Sequence, residues 1–263
     1  MALFGSSHKE AKSDQKKSEM IILGMVLLEE PNSMKINDVV NELREKWKLV
    51  VDDKESDNDA SILIIENYRI AIGNMDIPIP GDEIKSTAEY NYFWPNGMDE
   101  ATKHKGHVIL SILNAGTDPI KENILFTKVA SSILNNSKSL GIYIGGRTLL
   151  INKEMYISSA ETMTSEDLPL LVWIYFGMRT ENGKRSIYTY GLADFQKMEM
   201  EIINSTHSFE DLLDMMFNIV HYIIISNVTL KDGETMGMSE TQRLKISISK
   251  GKYLPDKSIK IEY

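Results

Sequence analysis

The reactive side chains available to this 263-residue chain include five histidines and no cysteine. That excludes a thiolate nucleophile, a disulfide framework, an iron–sulfur cluster and cysteine-ligated zinc. His104 and His107 are three residues apart, a spacing that puts two imidazoles on one helix face, with Glu89, Asp99 and Glu100 near enough in sequence to complete a metal-ligand set. On that reading the chain would be a metal-dependent hydrolase. Gly106 and the β-branched Val108 and Ile109 instead place His107 in a strand, which points the rings differently and favours a structural role with each ring bonding a backbone carbonyl. Glu199 and Glu201 alternate with Met198, Met200 and Ile202, so both carboxylates stand on one face of a strand. Paired carboxylates can do acid–base work or hold a hard cation, and an alternating acidic face is also what a solvated strand shows.

Two aromatic groups could recognise a ligand. Trp94 beside Pro95, with Tyr90, Tyr92 and Phe93, could line a groove or pack into the core. Trp173, Tyr175 and Arg179 alternate with Val172, Ile174 and Phe176, so this run has either a wet pocket wall or a second packed layer. Gly145, Gly146 and Arg147 look superficially like a phosphate loop, but no Gly-Lys-Ser/Thr ending or long helix follows, and a hairpin with a type I′ turn is the better reading. There is no Gly-x-Ser-x-Gly elbow and no His-Glu-x-x-His helix, so no catalytic residue, metal or cofactor is assigned.

The elements that must position these residues follow from periodicity. Residues 1–18 are polar and aperiodic and read as a disordered leader. Met20 to Leu28 is a continuous apolar run, as expected of a strand buried on both faces. Ile36, Val39, Val40, Leu43 and Trp47 mark an amphipathic helix, with Glu42 and Lys46 paired on its wet side. The acidic stretch Asp52 to Asp59 reads as a loop, Ser61 to Ile65 and Tyr68 to Asn74 as a hairpin, Asp82 to Phe93 as a helix, and His107 to Leu113 as a strand. A second series follows: a helix over Lys121 to Asn135, strands around Gly145 and Gly146, a helix over Met155 to Met163 and a strand over Leu170 to Met178. The fold class is α+β, either a tandem ferredoxin-like (β-α-β-β-α-β) repeat or one mixed sheet with helices on one face, plus a C-terminal α+β unit. Residues 19–180 hold the repeated region, and 181–263 a hairpin turned by Asn182-Gly183, a helix capped by Ser208 and Asp211, and closing strands.

Composition bounds the partners. The formal charge is -9. A body this acidic repels phosphate backbones, so nucleic acid is not expected and a basic protein is the better electrostatic match. The longest apolar runs fall short of the roughly 20 residues that span a bilayer, so no membrane partner is expected. The absence of cysteine and of a secretory h-region points to the cytoplasm.

Several strings resemble a bacterial family known as domain of unknown function 4261: AIGNMDIPIP at 71–80, YNYFWPN at 90–96 leading into KHKGHVIL at 103–110, WIYFGMRTENGKRSIYTYGLADF at 173–195 followed by MEMEI, and DGETMG at 232–237. Gln196 stands where that pattern has a glycine. The resemblance implies no activity, cofactor or catalytic residue. Three functions remain open: a non-enzymatic protein-binding module, such as an immunity-like protein that neutralises a basic partner; the hydrolase built on His104 and His107; and a small-ligand binding domain with a cleft between its halves.

Overall fold

The computed structural model describes residues 20–57, 59–237 and 243–263, and the leader read from residues 1–18 lies outside them. Two sheets and six helices make up an α+β fold. The first sheet joins β1 (Met20–Leu28), β2 (Val51–Ser56), β3 (Ala60–Ile65), β4 (Tyr68–Met75), β5 (Gly106–Ala115), β6 (Ser139–Ile144) and β7 (Leu149–Asn152) in the order β2-β3-β4-β5-β1-β6-β7. All its pairings are antiparallel. Consecutive strands pair, and β1 closes the gap between β5 and β6, so among the described residues this is not the interleaved strand order of a ferredoxin-like sandwich, and the expected tandem repeat is not seen there.

One face of this sheet carries α1 (Ile36–Glu45), α4 (Pro119–Asn135) and α5 (Lys153–Thr162). Ile36, Val39, Val40 and Leu43 are the buried stripe of α1, as their spacing requires, and Lys46 pairs with Glu42 at 3.4 Å. The start of α4 is fixed locally: Pro119 occupies the first turn and the Asp118 carboxylate accepts the Lys121 N–H at 3.1 Å. Glu122 reaches back to the N–H groups of Gly116, Thr117 and Asp118 at 2.8, 2.9 and 3.0 Å. Nearly every turn of α4 is buried, because it lies between the first sheet and the segment around Trp173, whose indole N–H donates to Thr127 Oγ1 at 2.8 Å.

The opposite face is only partly covered. Residues 76–105, between β4 and β5, form a cap containing α2 (Glu83–Ala88) and α3 (Gly97–Ala101). Ile79, Ile84, Ala88, Trp94 and Ala101 of the cap pack on Leu27, Tyr143 and Leu150. The helix read over 82–93 is thus shorter and is followed by another.

The second sheet joins β8 (Tyr175–Glu181), β9 (Lys184–Tyr190), β10 (Met200–Ser205), β11 (Thr235–Met236), β12 (Leu244–Lys250) and β13 (Lys257–Ile261) in the order β11-β12-β13-β10-β9-β8, with β10 and β13 parallel. Helix α6 (Phe209–Ile225) packs against β9. Its Ser208–Asp211 capping box is formed, and the Asn182-Gly183 turn has φ of 50° and 74°. One buried apolar cluster runs through both sheets.

Three local readings are corrected. Val51–Ser56 is an edge strand, not a loop, because β3 offers it an unpaired ladder. Residues 145–147 form a 3₁₀ turn in which Thr148, at φ 55°, takes the left-handed position expected of a glycine. Residues 170–172 form another 3₁₀ turn and β8 begins only at Tyr175, so the second sheet starts before the boundary drawn at 181.

Candidate functional site

The two imidazoles are held in separate bonds. His104 Nδ1–H donates to the Ala101 carbonyl at 2.7 Å, and Nε2 accepts the Ile79 N–H at 2.9 Å, which fixes the neutral tautomer. Burial, foremost, and the nearby His107 hold its pKa below the usual imidazole value against the pull of the Ala101 carbonyl. His107, buried on β5, bonds the Ile77 carbonyl through Nδ1 at 2.9 Å. The His104 ring therefore braces the cap internally, and the His107 ring fastens the cap to the sheet. Glu100 accepts the Trp94 indole N–H at 2.6 Å, and among the described residues no three His, Asp or Glu side chains gather to hold a metal ion. Trp94 is a core residue of the cap rather than a groove wall.

Glu199 and Glu201 do not form a wet acidic face. Glu201 is 0% exposed. It accepts from the N–H groups of Lys252 at 3.1 Å and Tyr253 at 2.7 Å, from Ser258 Oγ at 2.6 Å and from the Lys260 ammonium. Burial alone would raise its pKa, but these donors together outweigh it and hold the carboxyl below its ordinary value. Glu199 accepts from Thr189 Oγ1 at 2.7 Å and from the N–H groups of Gly191 and Leu192, each at 2.8 Å. There burial prevails over the same kind of bonds and the pKa is raised. The two carboxylates, like Glu122, collect the donors of irregular segments.

Tyr175 and Arg179 do come together, with Tyr90 rather than Trp94. The Tyr175 hydroxyl donates to the Tyr90 carbonyl at 3.2 Å, and the Arg179 guanidinium lies 5.0 Å from the Tyr90 ring centre and 5.9 Å from that of Tyr188. Tyr92 donates to the Phe176 carbonyl at 2.8 Å and Asn91 to the Leu150 carbonyl. The polar ends of these side chains are engaged in stapling the cap to β7 and β8.

The feature not anticipated is the exposed part of the first sheet. Register aligns Leu23 with Ser111, Ser111 with Ala71, and Ala71 with Ile62, all on the face away from α4. Ile21 is 63%, Leu23 44% and Ile64 37% exposed. β1 is therefore buried on both faces only from Val26 onward, whereas the unbroken apolar run predicted it throughout. Beside this strip lies a cleft of about 490 Å³, lined among others by Leu23, Met25, Glu83, Tyr143, Gly146 and Asp194. Arg147, almost fully buried at its edge, donates through Nε to Asp194 Oδ2 and through Nη1 to Asn123 Oδ1, both at 2.7 Å. Glu83, Asp194 and Arg147 are distant in sequence and share no spacing signal; only the cap, the 3₁₀ turn after β6 and the loop after β9 bring them to one place.

No helix among the described residues is long and apolar enough to cross a membrane. Comparison with curated proteins and with solved structures gives no match. The family model described as "Domain of unknown function (DUF4261)" matches residues 188–262, which run from the end of β9 through α6 to the last strand, so over this carboxy-terminal region the chain is similar to the family that its sequence strings resemble.

Proposed function

We propose that the protein is a non-enzymatic protein-binding module whose partner docks on the uncovered face of the first sheet. The observation that carries this is the set of exposed apolar residues Ile21, Leu23 and Ile64, with the partly buried Ile62, Ala71 and Ile109 beside them and the exposed Arg69 opposite Ile64, on a sheet whose other face is packed by α1, α4 and α5. An apolar sheet face left in water costs free energy that a partner's apolar surface recovers, at about 25 cal/mol per Å² buried. The chemical groups first considered for catalysis are bonded within the fold, which supports binding over turnover.

The formal charge of -9 favours a basic partner, approached by electrostatic steering and held by apolar contact. The test is affinity capture from the native host at low and moderate salt, with the wild-type chain and a Leu23→Lys variant. A partner retained by wild type, weakened by salt and lost with Leu23→Lys is the expected result. A partner kept by the variant, or none at either salt, overturns the proposal. So does a wild-type homodimer in sedimentation that Leu23→Lys dissociates, because the face then belongs to a second copy.

A further inference from the structure

We infer that the cleft beside the uncovered face is a socket for a lysine or arginine side chain of the docked partner; this rests on the reading of that face as a docking surface. The groove is continuous with the face: Ile21, Leu23 and Met25 belong to both, and Ile144 extends the apolar floor. Two carboxylates border it, and the almost fully buried Arg147, which pairs with Asp194 and whose Nη2 has no hydrogen-bond partner, lines it as well, so Glu83 carries its net negative charge. Glu83, from the cap, is held by the Tyr143 hydroxyl, which donates to Oε2 at 3.2 Å, and Asp194 is held by Arg147 through Oδ2. Each carboxylate thus has one oxygen oriented by the fold, while no hydrogen bond within the described residues occupies the other. The pKa of Tyr143 is raised, first by burial and then by the Glu83 carboxylate, in keeping with a proton retained in this bond.

An apolar floor ending in carboxylates matches one kind of side chain. Lysine and arginine carry an apolar stem that lies along hydrocarbon and a cationic head that seeks an anion. An acidic side chain would meet the like charge of Glu83, which has no cationic partner among the described residues whereas Asp194 has Arg147, and a purely apolar one would cover Glu83 without pairing it. The turn keeps the mouth open. A Cβ at Gly146 would meet nothing within 4 Å, whereas one at Gly145 would stand 2.7 Å from the Tyr143 hydroxyl oxygen. Gly145 therefore preserves the position from which Tyr143 holds Glu83.

The test uses amide chemical shifts of the full chain titrated with N-acetyl-Leu-Arg-Leu-amide, its citrulline counterpart, which keeps the shape without the charge, and N-acetyl-trileucine amide. The expected result is saturable shifts at Ile144, Gly145 and Gly146 that are about fivefold weaker with citrulline, as loss of a partly exposed ion pair gives. Glu83→Gln, which can still accept from the Tyr143 hydroxyl, should reduce binding of the arginine peptide similarly with thermal unfolding little changed, and Glu83→Lys should abolish binding while the amide spectrum shows the fold retained. Equal affinity for the arginine and citrulline peptides, or full binding by Glu83→Lys, overturns the socket. Trileucine shifts at Leu23, Ala71 and Ser111 report on the docking face separately. Their presence without any charge preference at the cleft would leave the docking surface standing and remove the socket alone.

Discussion

Glu201 allows the sharpest test of how this fold is held. Its carboxylate is wholly buried on β10 and gathers donors from a loop and a strand some fifty to sixty residues further on, including the ammonium of Lys260, whose side chain is 16% exposed. Glu201→Gln preserves shape and one acceptor oxygen but removes the charge and turns an amide N–H toward existing donors. Breaking one side of a buried ion pair costs about 3–5 kcal/mol, since the remaining charge stays desolvated and unpaired. For a chain of this size each kcal/mol lowers the melting temperature by about 2–4 °C, so a fall of roughly 10 °C is expected. The pH dependence has a definite sign. The folded pKa lies below the ordinary 4.5 of the unfolded chain, so the stabilisation is fully present above 4.5 and is lost as pH falls through the folded value. Urea unfolding of wild type and variant should therefore show a large gap at about pH 7 that narrows as both are taken into acid. A gap below about 1 kcal/mol at neutral pH, or one that does not narrow in acid, would falsify the claim that this carboxylate anchors the carboxy-terminal loop.

Four further outcomes follow from the structure. Burial lowers the pKa of His104, so folding stability should decline as pH falls below the ordinary 6.5 toward the folded value, and a His104→Asn variant should lack that slope in denaturant titrations. Replacing His104 with alanine leaves the Ile79 N–H without its acceptor, at about 1–3 kcal/mol, while the Ala101 carbonyl keeps the backbone N–H of residue 104 at 3.2 Å; the loss is measurable by the same unfolding assay. A Cβ at Gly177 would run into the Tyr188 ring, so Gly177→Ala should cost about 1–3 kcal/mol and alter the near-ultraviolet circular dichroism of the tyrosine cluster. Leu23→Lys, by contrast, should change stability by less than about 0.5 kcal/mol, because nearly half of Leu23 already faces water.

What could be read from the residues depended on how local the determining physics was. The capping box at Ser208, the Asn182-Gly183 turn and the buried stripe of α1 are each specified within a few residues, and each is formed. The burial of Glu201 was not legible because an alternating Glu looks the same whether water or a distant loop supplies its donors, and Lys252, Ser258 and Lys260 are more than fifty positions away. The strand over Met20–Leu28 was legible but its environment was not. An apolar run records that both faces avoid charge, not that both are covered by the same chain, and the cap stops short of Leu23 and Ile21. The cleft was invisible for a related reason: no spacing rule links Glu83, Arg147 and Asp194.

The short stretch in which Asn91 and Tyr92 bond the carbonyls of Leu150 and Phe176 has one more consequence. β7 and β8 each end their sheet, and a terminal strand with free carbonyls invites a neighbouring chain to add on. Two side chains, one position apart, blunt both invitations at once. Loosening this clasp would unmask two templates together, so clumping and fibre growth would be expected to begin there, well before the interior of the molecule gives way.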